Sequence, residues 1–222
     1  MKKIILLLAV FAPQPVKFFI YRKMMGWDIG SNVKIGYSLI VADHVSMEKG
    51  SQIGHFNVIK NITLKMEDNA SIASLNWITG FPKGGKSKHF SHLLDRSPEL
   101  KIGHDSAITS RHLIDCTSSV KIGHHSTFAG YRSQILTHAI DLYECRQDSS
   151  PVEIGNYCFV GTGSIFLPGS SIGNYCIVGA ASLINAPNIL EAKLYAGVPA
   201  RPIKSLDINA VKYMTRDSGY VW

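Results

Sequence analysis

The sequence predicts a mainly β protein, wound as a prism from short parallel strands. Three observations support this prediction. An aliphatic residue, or Met or Phe, recurs at every sixth position over long runs, a small or acidic residue usually follows it, and the segment IGNYC at 154–158 returns at 172–176. A helix would repeat every 3.6 residues and an ordinary strand every two. Six residues suffice for one short strand and a turn, so three units close one coil.

The repeated positions predict the inward-facing residues of the prism, because coils that stack about 4.8 Å apart bring equivalent side chains together. The residue four positions later is also small or aliphatic as a rule, and we expect it inside as well. The repeated positions are Ile29, Ile35, Val41, Met47, Ile53, Ile59, Met66, Ile72, Ile78, Ile102, Ile108, Ile114, Ile122, Phe128, Ile154, Val160, Phe166, Ile172, Val178, Ile184 and Leu190.

Changes in this repeat define the predicted organisation. Residues 1–28 precede it and form an N-terminal helical segment, and residues 29–204 form the prism. Two interruptions, 79–101 and 139–151, are turn-rich or polar and predict loops that project from it. The tail from Ile203 has lost the repeat, and residues 205–222 are expected to cap the open end, where strand edges would otherwise be exposed.

The N-terminal segment superficially resembles a signal peptide, with Lys2 and Lys3 before the apolar run Ile4 to Phe11. That run is short, and no stretch reaches the roughly 20 apolar residues needed to cross a bilayer. The following segment, VKFFIYRKMM, mixes apolar and basic residues as an amphipathic helix does. We therefore predict a retained helix packed on the prism in a cytoplasmic protein, with contact to the inner membrane surface as the alternative.

The net charge of the chain limits the ligands and partners that it is expected to bind. Twenty-three Lys and Arg against sixteen Asp and Glu give a net charge of +7, which favours ligands that carry phosphate. Nucleic acid is not expected, because no DNA- or RNA-binding motif accompanies the charge.

The four cysteines lack C-x-x-C spacing and are interpreted as reduced thiols. Cys158 and Cys176 occupy the same place in the repeated segment, so we expect them to stack inside the prism.

The order of motifs resembles one known family. Thr137 and His138 precede the second interruption, which contains Glu144 and Arg146, and residues 151–184 and YAGVPARPIK follow. With the repeat, this order is similar to the hexapeptide-repeat acyltransferases over roughly residues 29–204. ITSRHLIDC and FAGYRSQILTHAIDLYE are most similar to the O-acetyltransferases of bacterial surface-polysaccharide synthesis. The resemblance implies a left-handed β-helix, an exception to the right-handed crossover rule, and a homotrimer that transfers acetyl from acetyl-CoA to a carbohydrate hydroxyl.

The resemblance also implies a catalytic role for His138, which corresponds to the general base of the family. An acceptor hydroxyl is a weak nucleophile until it loses its proton, and an imidazole with a pKa near 6.5 accepts that proton at neutral pH. The repeat would stop after His138 because the base must face a pocket. The alternative is a histidine at the loop edge without a role.

Further site residues follow from the same resemblance. Thr162, Ala180 and Asn185 correspond to contacts of the pantetheine arm, with the Thr162 N–H as oxyanion donor, and Arg201 and Lys204 would meet phosphates. Many relatives carry Thr-Lys-Asp where this chain has Asn185, Ala186 and Pro187, so one phosphate contact is expected to be missing. The alternatives are solvated surface residues for the two cations and ordinary repeat residues for Thr162 and Ala180.

The resemblance implies a polar acceptor contact near Arg111 and His112, and we assign the acceptor to Arg111, His112, Arg132 and Glu144. The alternative is a structural hydrogen-bond role. His112 and Arg132 occupy positions where small residues are the rule, and burial of an unpaired cation is costly, so we expect both to bend out toward His138. Asp115 and Glu144 either orient an imidazole or bind sugar hydroxyls. The basic first interruption either meets a pyrophosphate or is solvated; its cations are Lys83, Lys86, Lys88, His89 and Arg96.

Two other functions remain open at this point. The same base would serve N-acetylation of an amino sugar carried on a nucleotide. The fold also supports zinc carbonic anhydrases and non-catalytic β-helices, but the paired histidines of the former are missing, so we expect no metal. This expectation holds despite four histidines in or near the repeats, namely His104, His112, His124 and His125.

Overall fold

The chain forms a left-handed parallel β-helix, and short helices precede it. The computed structural model describes residues 2–84 and 87–219. The segments before the prism are α1 (Lys2–Ala9), α2 (Gln14–Phe19) and a π-helical turn (Ile20–Met24), and a 3-10 helix (Lys212–Thr215) lies near the C-terminus. The sequence predicted one N-terminal helix. The break falls at residues 10–13, where Pro13 adopts extended backbone.

The strands are two to six residues long. In chain order they are β1 (Asp28–Ile29), β2 (Lys34–Ile35), β3 (Leu39–Val41), β4 (His44–Met47), β5 (Gln52–Ile53), β6 (Val58–Lys60), β7 (Thr63–Met66), β8 (Ser71–Ile72), β9 (Trp77–Thr79), β10 (Glu99–Ile102), β11 (Ala107–Ile108), β12 (Leu113–Asp115), β13 (Val120–Ile122), β14 (Thr127–Phe128), β15 (Gln134–Ile135), β16 (His138–Asp141), β17 (Arg146–Ser149), β18 (Val152–Ile154), β19 (Phe159–Val160), β20 (Ile165–Phe166), β21 (Ser171–Ile172), β22 (Ile177–Val178), β23 (Leu183–Ile184), β24 (Pro187–Asn188), β25 (Lys193–Gly197) and β26 (Ala200–Ser205).

The strands form three prism faces, which each coil visits in the order A, B, C. Face A has the order β1-β4-β7-β10-β13-β18-β21-β24, and face B has β2-β5-β8-β11-β14-β19-β22-β25-β26. Face C has β3-β6-β9-β12-β15-β20-β23. The pairing within these faces is parallel except between β25 and β26, and β16 and β17 form a separate antiparallel hairpin.

The core confirms the six-residue repeat, with two exceptions. Equivalent residues pair in register, as Ile154 does with Ile172, and nearly all repeated positions are buried. At the predicted position Val41 the chain instead buries Ile40, which pairs with Ile59, because the preceding corner is one residue shorter. Leu190 is exposed, since the last coil leaves the repeat after β24 and Tyr195 fills the inner position beside Val178.

The stacked cysteines agree with the sequence prediction. Cys158 and Cys176 are buried immediately before the paired residues Phe159 and Ile177, and each thiol lies near backbone carbonyl oxygens. Burial raises the pKa of the Cys158 thiol well above its usual value. Cys116 is also buried, whereas Cys145 is exposed.

A polar ladder runs through the interior next to the aliphatic core. Each side chain in the ladder accepts the backbone N–H of the next member, at donor–acceptor distances of 2.9 to 3.2 Å. The ladder satisfies buried N–H groups that would otherwise be costly to enclose. Its members are Ser38, Asn57, Asn76, His112, Ser133 and Ser164.

The helical segment covers the N-terminal end of the prism. Arg22 donates to the carbonyl of Ile29, with its Nη2 atom at 2.6 Å, and Lys17 donates to the carbonyls of Ile35 and Gly36. These carbonyls belong to the first coil, which has no preceding coil to supply N–H groups. The Lys17 side chain is buried, and this burial lowers its pKa. Among the described residues, no helix has the length and apolar character needed to cross a membrane.

The two interruptions and the tail differ in form. The first interruption is an irregular excursion between β9 and β10, residues 80–98, whereas the second is the β16–β17 hairpin rather than a loop. At the other end β26 takes the last position of face B. Residues 205–222 were predicted to cap this end, but the described part of this segment returns along the side of the prism because it finds hydrogen-bond partners there. The Tyr213 hydroxyl lies 2.9 Å from Thr127 Oγ1 and 2.9 Å from the Cys158 carbonyl.

Candidate functional site

The site is built from two neighbouring coils where face C ends. β12 and β15 pair with Ile114 beside Ile135, so the residues that follow them lie next to each other. Asp115 ends β12, and His138 follows β15 by three residues and begins the hairpin. The His138 Nδ1 atom lies 2.7 Å from Asp115 Oδ2. The repeat therefore brings together two residues that are 23 positions apart in the chain.

Asp115 is held as a carboxylate in a buried position. Thr117 donates its backbone N–H and its hydroxyl to one carboxylate oxygen, at 3.0 and 2.6 Å. Thr137 donates its N–H to the other at 2.8 Å, with its hydroxyl at 2.9 Å. Burial favours the neutral acid, but the hydrogen bonds from His138, Thr117 and Thr137 outweigh it and lower the pKa of Asp115 to about 2.

The hydrogen bond to Asp115 fixes the orientation of the His138 ring. Its hydrogen bond to Asp115 raises the pKa of His138, against the opposing effect of partial burial. Because an ionised carboxylate only accepts, Nδ1 carries the proton of the neutral ring, and Nε2 is left as an acceptor. The side chain is 43% exposed, so a ligand has access to it. Of the two roles considered for Asp115, orienting an imidazole or binding sugar hydroxyls, the hydrogen bond supports the first.

The first excursion supplies a wall beside the imidazole. The buried Phe90 ring stands edge-on to His138, with 6.1 Å between ring centroids. Arg96 lies over Phe90 at 4.9 Å from its centroid and donates to the carbonyls of Phe81 and Thr117, both at 2.7 Å. Arg96 thus fastens the excursion to the coil that carries Asp115. It is buried at 7% exposure and serves as an anchor rather than a solvated cation.

A cavity of about 350 Å³ lies between the first excursion and the hairpin. Phe90 and Ile140 supply apolar walls, and Lys88, His89 and Arg146 supply positive or titratable groups. Ile140 follows His138 by two residues on β16, so both side chains lie on the same side of the hairpin, but His138 itself does not line the cavity. Glu144 is exposed near the hairpin tip, and its N–H donates to Asp141. Of the other predicted basic residues, Lys86 lies outside the described residues.

His112 does not bend out toward His138, and its contacts agree with the alternative of a structural hydrogen-bond role. The ring is 2% exposed, its Nδ1 accepts the N–H of Ser133, and its Nε2 lies 2.9 Å from Thr109 Oγ1. Burial lowers the pKa of His112 to about 4, so the ring is neutral at pH 7. Because the buried ring is neutral, it carries no charge that would force it out of the interior. His112 is therefore a member of the polar ladder.

Arg132 is exposed, but for a different reason than predicted. Seven residues rather than six separate Phe128 from Ile135, so Ser133 takes the inner position and Arg132 forms the turn with φ +59°. Arg111 forms the equivalent turn of the preceding coil at φ +64°, and its carbonyl accepts the Arg132 N–H. Both arginines stand where face B turns into face C. His138 stands at the far end of face C, so one chain does not bring them together.

Thr162 and Ala180 belong to the same corner column as the two arginines. The Thr162 hydroxyl accepts the Tyr131 N–H and donates to the Tyr131 carbonyl, both at 2.9 Å, and the Thr162 carbonyl accepts the N–H of Ala181. Both Thr162 and Ala180 are exposed. Within the described residues their own N–H groups donate to no protein acceptor. These N–H groups are therefore available to a ligand that lies along the corner.

The remaining predicted donor-site residues lie toward the C-terminal end. Asn185 is exposed directly after β23, and Arg201 and Lys204 are exposed on β26 at the edge of face B. Arg201 pairs with Ala196 and Lys204 with Leu194. None of these three residues lies beside His138 and Asp115.

A separate group has the composition of a metal site. His104, Asp105 and His125 bring ligand atoms within 4.8 Å of one another where face A turns into face B. This corner is distinct from the corner that carries His138. In the part of the chain that the structure describes, this is the one such grouping, and it contains two histidines where the carbonic anhydrase alternative requires three.

Sequence reasoning missed several residues of the site. Thr117 and Thr137 fix the Asp115 carboxylate, and Phe90 walls the imidazole. Asp115 was one of two candidates to orient an imidazole, and its signal was an acidic residue after Ile114 where Gly is frequent. Phe90 had no such signal, since it belongs to a segment without the repeat.

Comparisons with known proteins agree with the fold. The family described as bacterial transferase hexapeptide (six repeats) matches residues 151–186. No curated protein matches the sequence significantly. A hexapeptide-repeat acetyltransferase of Vibrio cholerae, solved with acetyl coenzyme A, is 17% identical, with 93% of this chain and 86% of that chain covered and a TM-score of 0.50.

Two further solved structures are similar. A hexapeptide transferase family protein of Anaplasma phagocytophilum is 18% identical, with 82% of this chain and 88% of that chain covered and a TM-score of 0.51. A variant of AntD, an N-acyltransferase of Bacillus cereus in complex with dTDP-4-amino-4,6-dideoxyglucose and coenzyme A, is 16% identical. The match covers 89% of this chain and 90% of that chain with a TM-score of 0.51. At these identities the likeness establishes the left-handed β-helix fold.

Proposed function

We propose that this chain, which carries bacterial-transferase hexapeptide repeats on a left-handed parallel β-helix, is an acetyltransferase that moves acetyl from acetyl-CoA to a carbohydrate hydroxyl in surface-polysaccharide synthesis. The observation that carries the proposal is the 2.7 Å hydrogen bond between His138 and Asp115 in an accessible corner. A histidine that is oriented by a buried carboxylate and open to ligands has the geometry of a general base.

In the proposed reaction, His138 Nε2 accepts the proton of the acceptor hydroxyl as its oxygen bonds to the thioester carbonyl carbon. The ionised Asp115 stabilises the imidazolium that forms. When the tetrahedral intermediate collapses, the carbon–sulfur bond breaks and the proton passes from His138 to the sulfur. The products are the acetylated acceptor and free CoA thiol, so atoms and protons balance.

The donor site is proposed along the corner between faces B and C. The unengaged N–H groups of Thr162 and Ala180 suit the pantetheine amides or the oxyanion of the intermediate. Asn185 would contact the same arm, and Arg201 and Lys204 would meet the phosphates, which charge-assisted hydrogen bonds favour. The acetyl-CoA complex of the Vibrio cholerae protein supports this choice of donor.

The oligomeric state proposed is a homotrimer, and the separation of these residues in one chain supports a site shared between copies. Thr162 precedes β20 and His138 follows β15, so they stand at opposite ends of face C in one chain. Donor N–H groups and base would face each other if the corner of one copy packed beside the His138 corner of another. We therefore propose that the active site lies between subunits.

The acceptor is proposed to bind between the first excursion and the hairpin. Phe90 and Ile140 offer apolar surface, which suits the faces of a sugar ring, and the cavity of about 350 Å³ accommodates a monosaccharide unit. The cations Lys88 and Arg146 at the same cavity favour a second candidate, N-acetylation of an amino sugar on a nucleotide, because they suit a pyrophosphate. The amino-sugar nucleotide in the AntD complex accords with this alternative.

The test mixes the purified chain with acetyl-CoA and a panel of sugars, nucleotide-linked sugars and amino sugars, and follows free CoA thiol. We expect acceptor-dependent release that falls by about 100-fold or more in His138→Ala, the usual scale for loss of a general base. Near-normal release by His138→Ala would overturn the assignment of the base. Absence of release across the panel, together with absence of acetyl-CoA binding by calorimetry, would favour a non-catalytic β-helix.

A further inference from the structure

The N-terminal helices expose an unusual concentration of large apolar side chains. On α1 and just after it, Ile4, Leu7, Leu8 and Phe11 are all more than half exposed, with Leu8 at 70% and Phe11 at 77%. Val16 and Phe19 of α2 are also at least half exposed. Scattered exposed apolar residues are ordinary on a protein surface, whereas a run of them on consecutive helices marks an interaction surface.

The exposed residues of α1 share one helix face. Ile4, Leu7 and Leu8 follow at three- or four-residue steps, which places them in one stripe, and Phe11 is exposed in the turn that follows the helix. The opposite side of the helix holds Leu6 and Ala9, which are buried in the core. One face of α1 therefore packs on the prism, and the opposite face is exposed.

The second helical segment repeats this arrangement. Lys17 and Tyr21 are buried four residues apart, while Val16 and Phe19 are exposed. Lys23 is exposed four residues after Phe19, next to the apolar side chains. The N-terminal segment is thus anchored through one side and presents apolar and basic groups on the other.

Charge on this segment is of a single sign. Residues 1–27 contain Lys2, Lys3, Lys17, Arg22 and Lys23 and lack Asp and Glu. Lys2, Lys3 and Lys23 are exposed, whereas Arg22 is engaged by the carbonyls of the first coil. In the part of the chain that the structure describes, these three lysines have no acidic partner. Exposed apolar groups beside them match the acyl boundary and anionic headgroups of a bilayer, whereas a second copy of this basic segment would repeat the same charge.

We propose that α1, α2 and the turn after them bind the surface of a bilayer that contains anionic lipid. The helices lie in the interface, since those the structure describes are too short to cross it. Leu8 and Phe11 enter the acyl boundary while the lysines contact phosphate headgroups. The N-terminal end of the prism then faces the membrane, and the proposal holds whether or not the chain is an acetyltransferase.

The test is flotation of the full chain with vesicles of phosphatidylcholine alone and of phosphatidylcholine with phosphatidylglycerol. We expect binding to the anionic vesicles that falls at least about tenfold in the double variant Leu8→Ser, Phe11→Ser. The triple variant Lys2→Gln, Lys3→Gln, Lys23→Gln should lose the preference for anionic lipid, as should the wild type in high salt. The matched control is Ile189→Ser with Ile203→Ser, whose apolar side chains are 78% and 60% exposed at the other end of the prism.

Three results would overturn the proposal. The first is wild-type protein that does not float with anionic vesicles, and the second is flotation that the Leu8 and Phe11 substitutions leave unchanged. The third is a double variant that changes only the mass of the assembly in solution, which would mean that a second copy covers the surface. Thermal unfolding of each variant checks that folding is intact, which the high exposure of both residues predicts.

Discussion

His138 and Asp115 belong to neighbouring coils, and their 2.7 Å hydrogen bond affects the protonation of both groups. The carboxylate stays ionised far below neutral pH, and it raises the pKa of the imidazole. The order of the repeat places the pair, and two threonines fix its geometry.

Asp115→Asn should lower turnover by at least about tenfold, within the range of a general base that loses its orientation. Thr117 and Thr137 donate N–H groups to different carboxylate oxygens, and an amide has only one oxygen, so one of these N–H groups loses its acceptor. With the amide oxygen toward Thr117, the amide N–H group faces His138 Nδ1 and favours the wrong tautomer. The raised pKa of His138 would also return toward its usual value. The acid limb of kcat/KM should therefore move to lower pH, which a profile between pH 5 and 9 measures. A uniform loss of rate with an unmoved limb would contradict this role.

His112→Asn should leave acceptor KM almost unchanged, because His112 is buried in the polar ladder. Asn57 and Asn76 show that an amide fits this column and accepts the next N–H. The folded pKa of about 4 lies below the usual 6.5, so stability is complete above pH 6.5. It is lost as pH falls toward 4, since the unfolded state alone takes up the proton.

Thermal unfolding at pH 5 and pH 8 measures this difference. The wild type should lose more stability between the two values than His112→Asn does. The comparison isolates His112 from the other histidines, which both proteins share. Equal pH dependence, or a large rise in acceptor KM in the variant, would restore the original assignment of His112 to the acceptor.

Arg96→Ala should loosen the first excursion. It leaves the carbonyls of Phe81 and Thr117 without their donor and removes the cation above Phe90, at a cost on the order of 1–3 kcal/mol. Trypsin should then cut faster after Lys83 or Lys88, and acceptor KM should rise while acetyl-CoA KM stays constant. Equal cleavage rates in variant and wild type would show that Arg96 does not hold the segment.

Gly130→Ala should weaken acetyl-CoA binding, with Gly163→Ala as its matched control. Both glycines have positive φ, +74° and +70°, so Ala is strained at either position by about 1 kcal/mol. A Cβ at Gly130 would lie 2.6 Å from Thr162 Oγ1 and displace that residue, whereas a Cβ at Gly163 meets no atom within 4 Å. Calorimetry should show a several-fold loss of affinity for the first variant only. Similar affinities in both would argue against Thr162 as a donor contact.

How far sequence reasoning reached depends on whether residues obey the repeat. Ile154, Ile172 and the two stacked cysteines were predicted, because a periodic position fixes both burial and neighbours. Arg132 was assigned to the wrong position, since the count from Phe128 did not allow for one added residue in the turn. His112 was assigned to the wrong environment, because a histidine is as easily buried neutral as exposed and charged.

The sequence by itself determined the prism, most of its inward residues and the two places where the repeat stops, because spacing along the chain is enough to define stacked coils. It also marked His138 through its place before the second interruption. Only the tertiary structure decided that Asp115 is the partner of His138, that Phe90 and Arg96 wall the site, and that the tail returns along the side of the prism. The physical reason is that these contacts join segments outside the periodic pattern, whose approach is set by side-chain packing and hydrogen bonding in three dimensions.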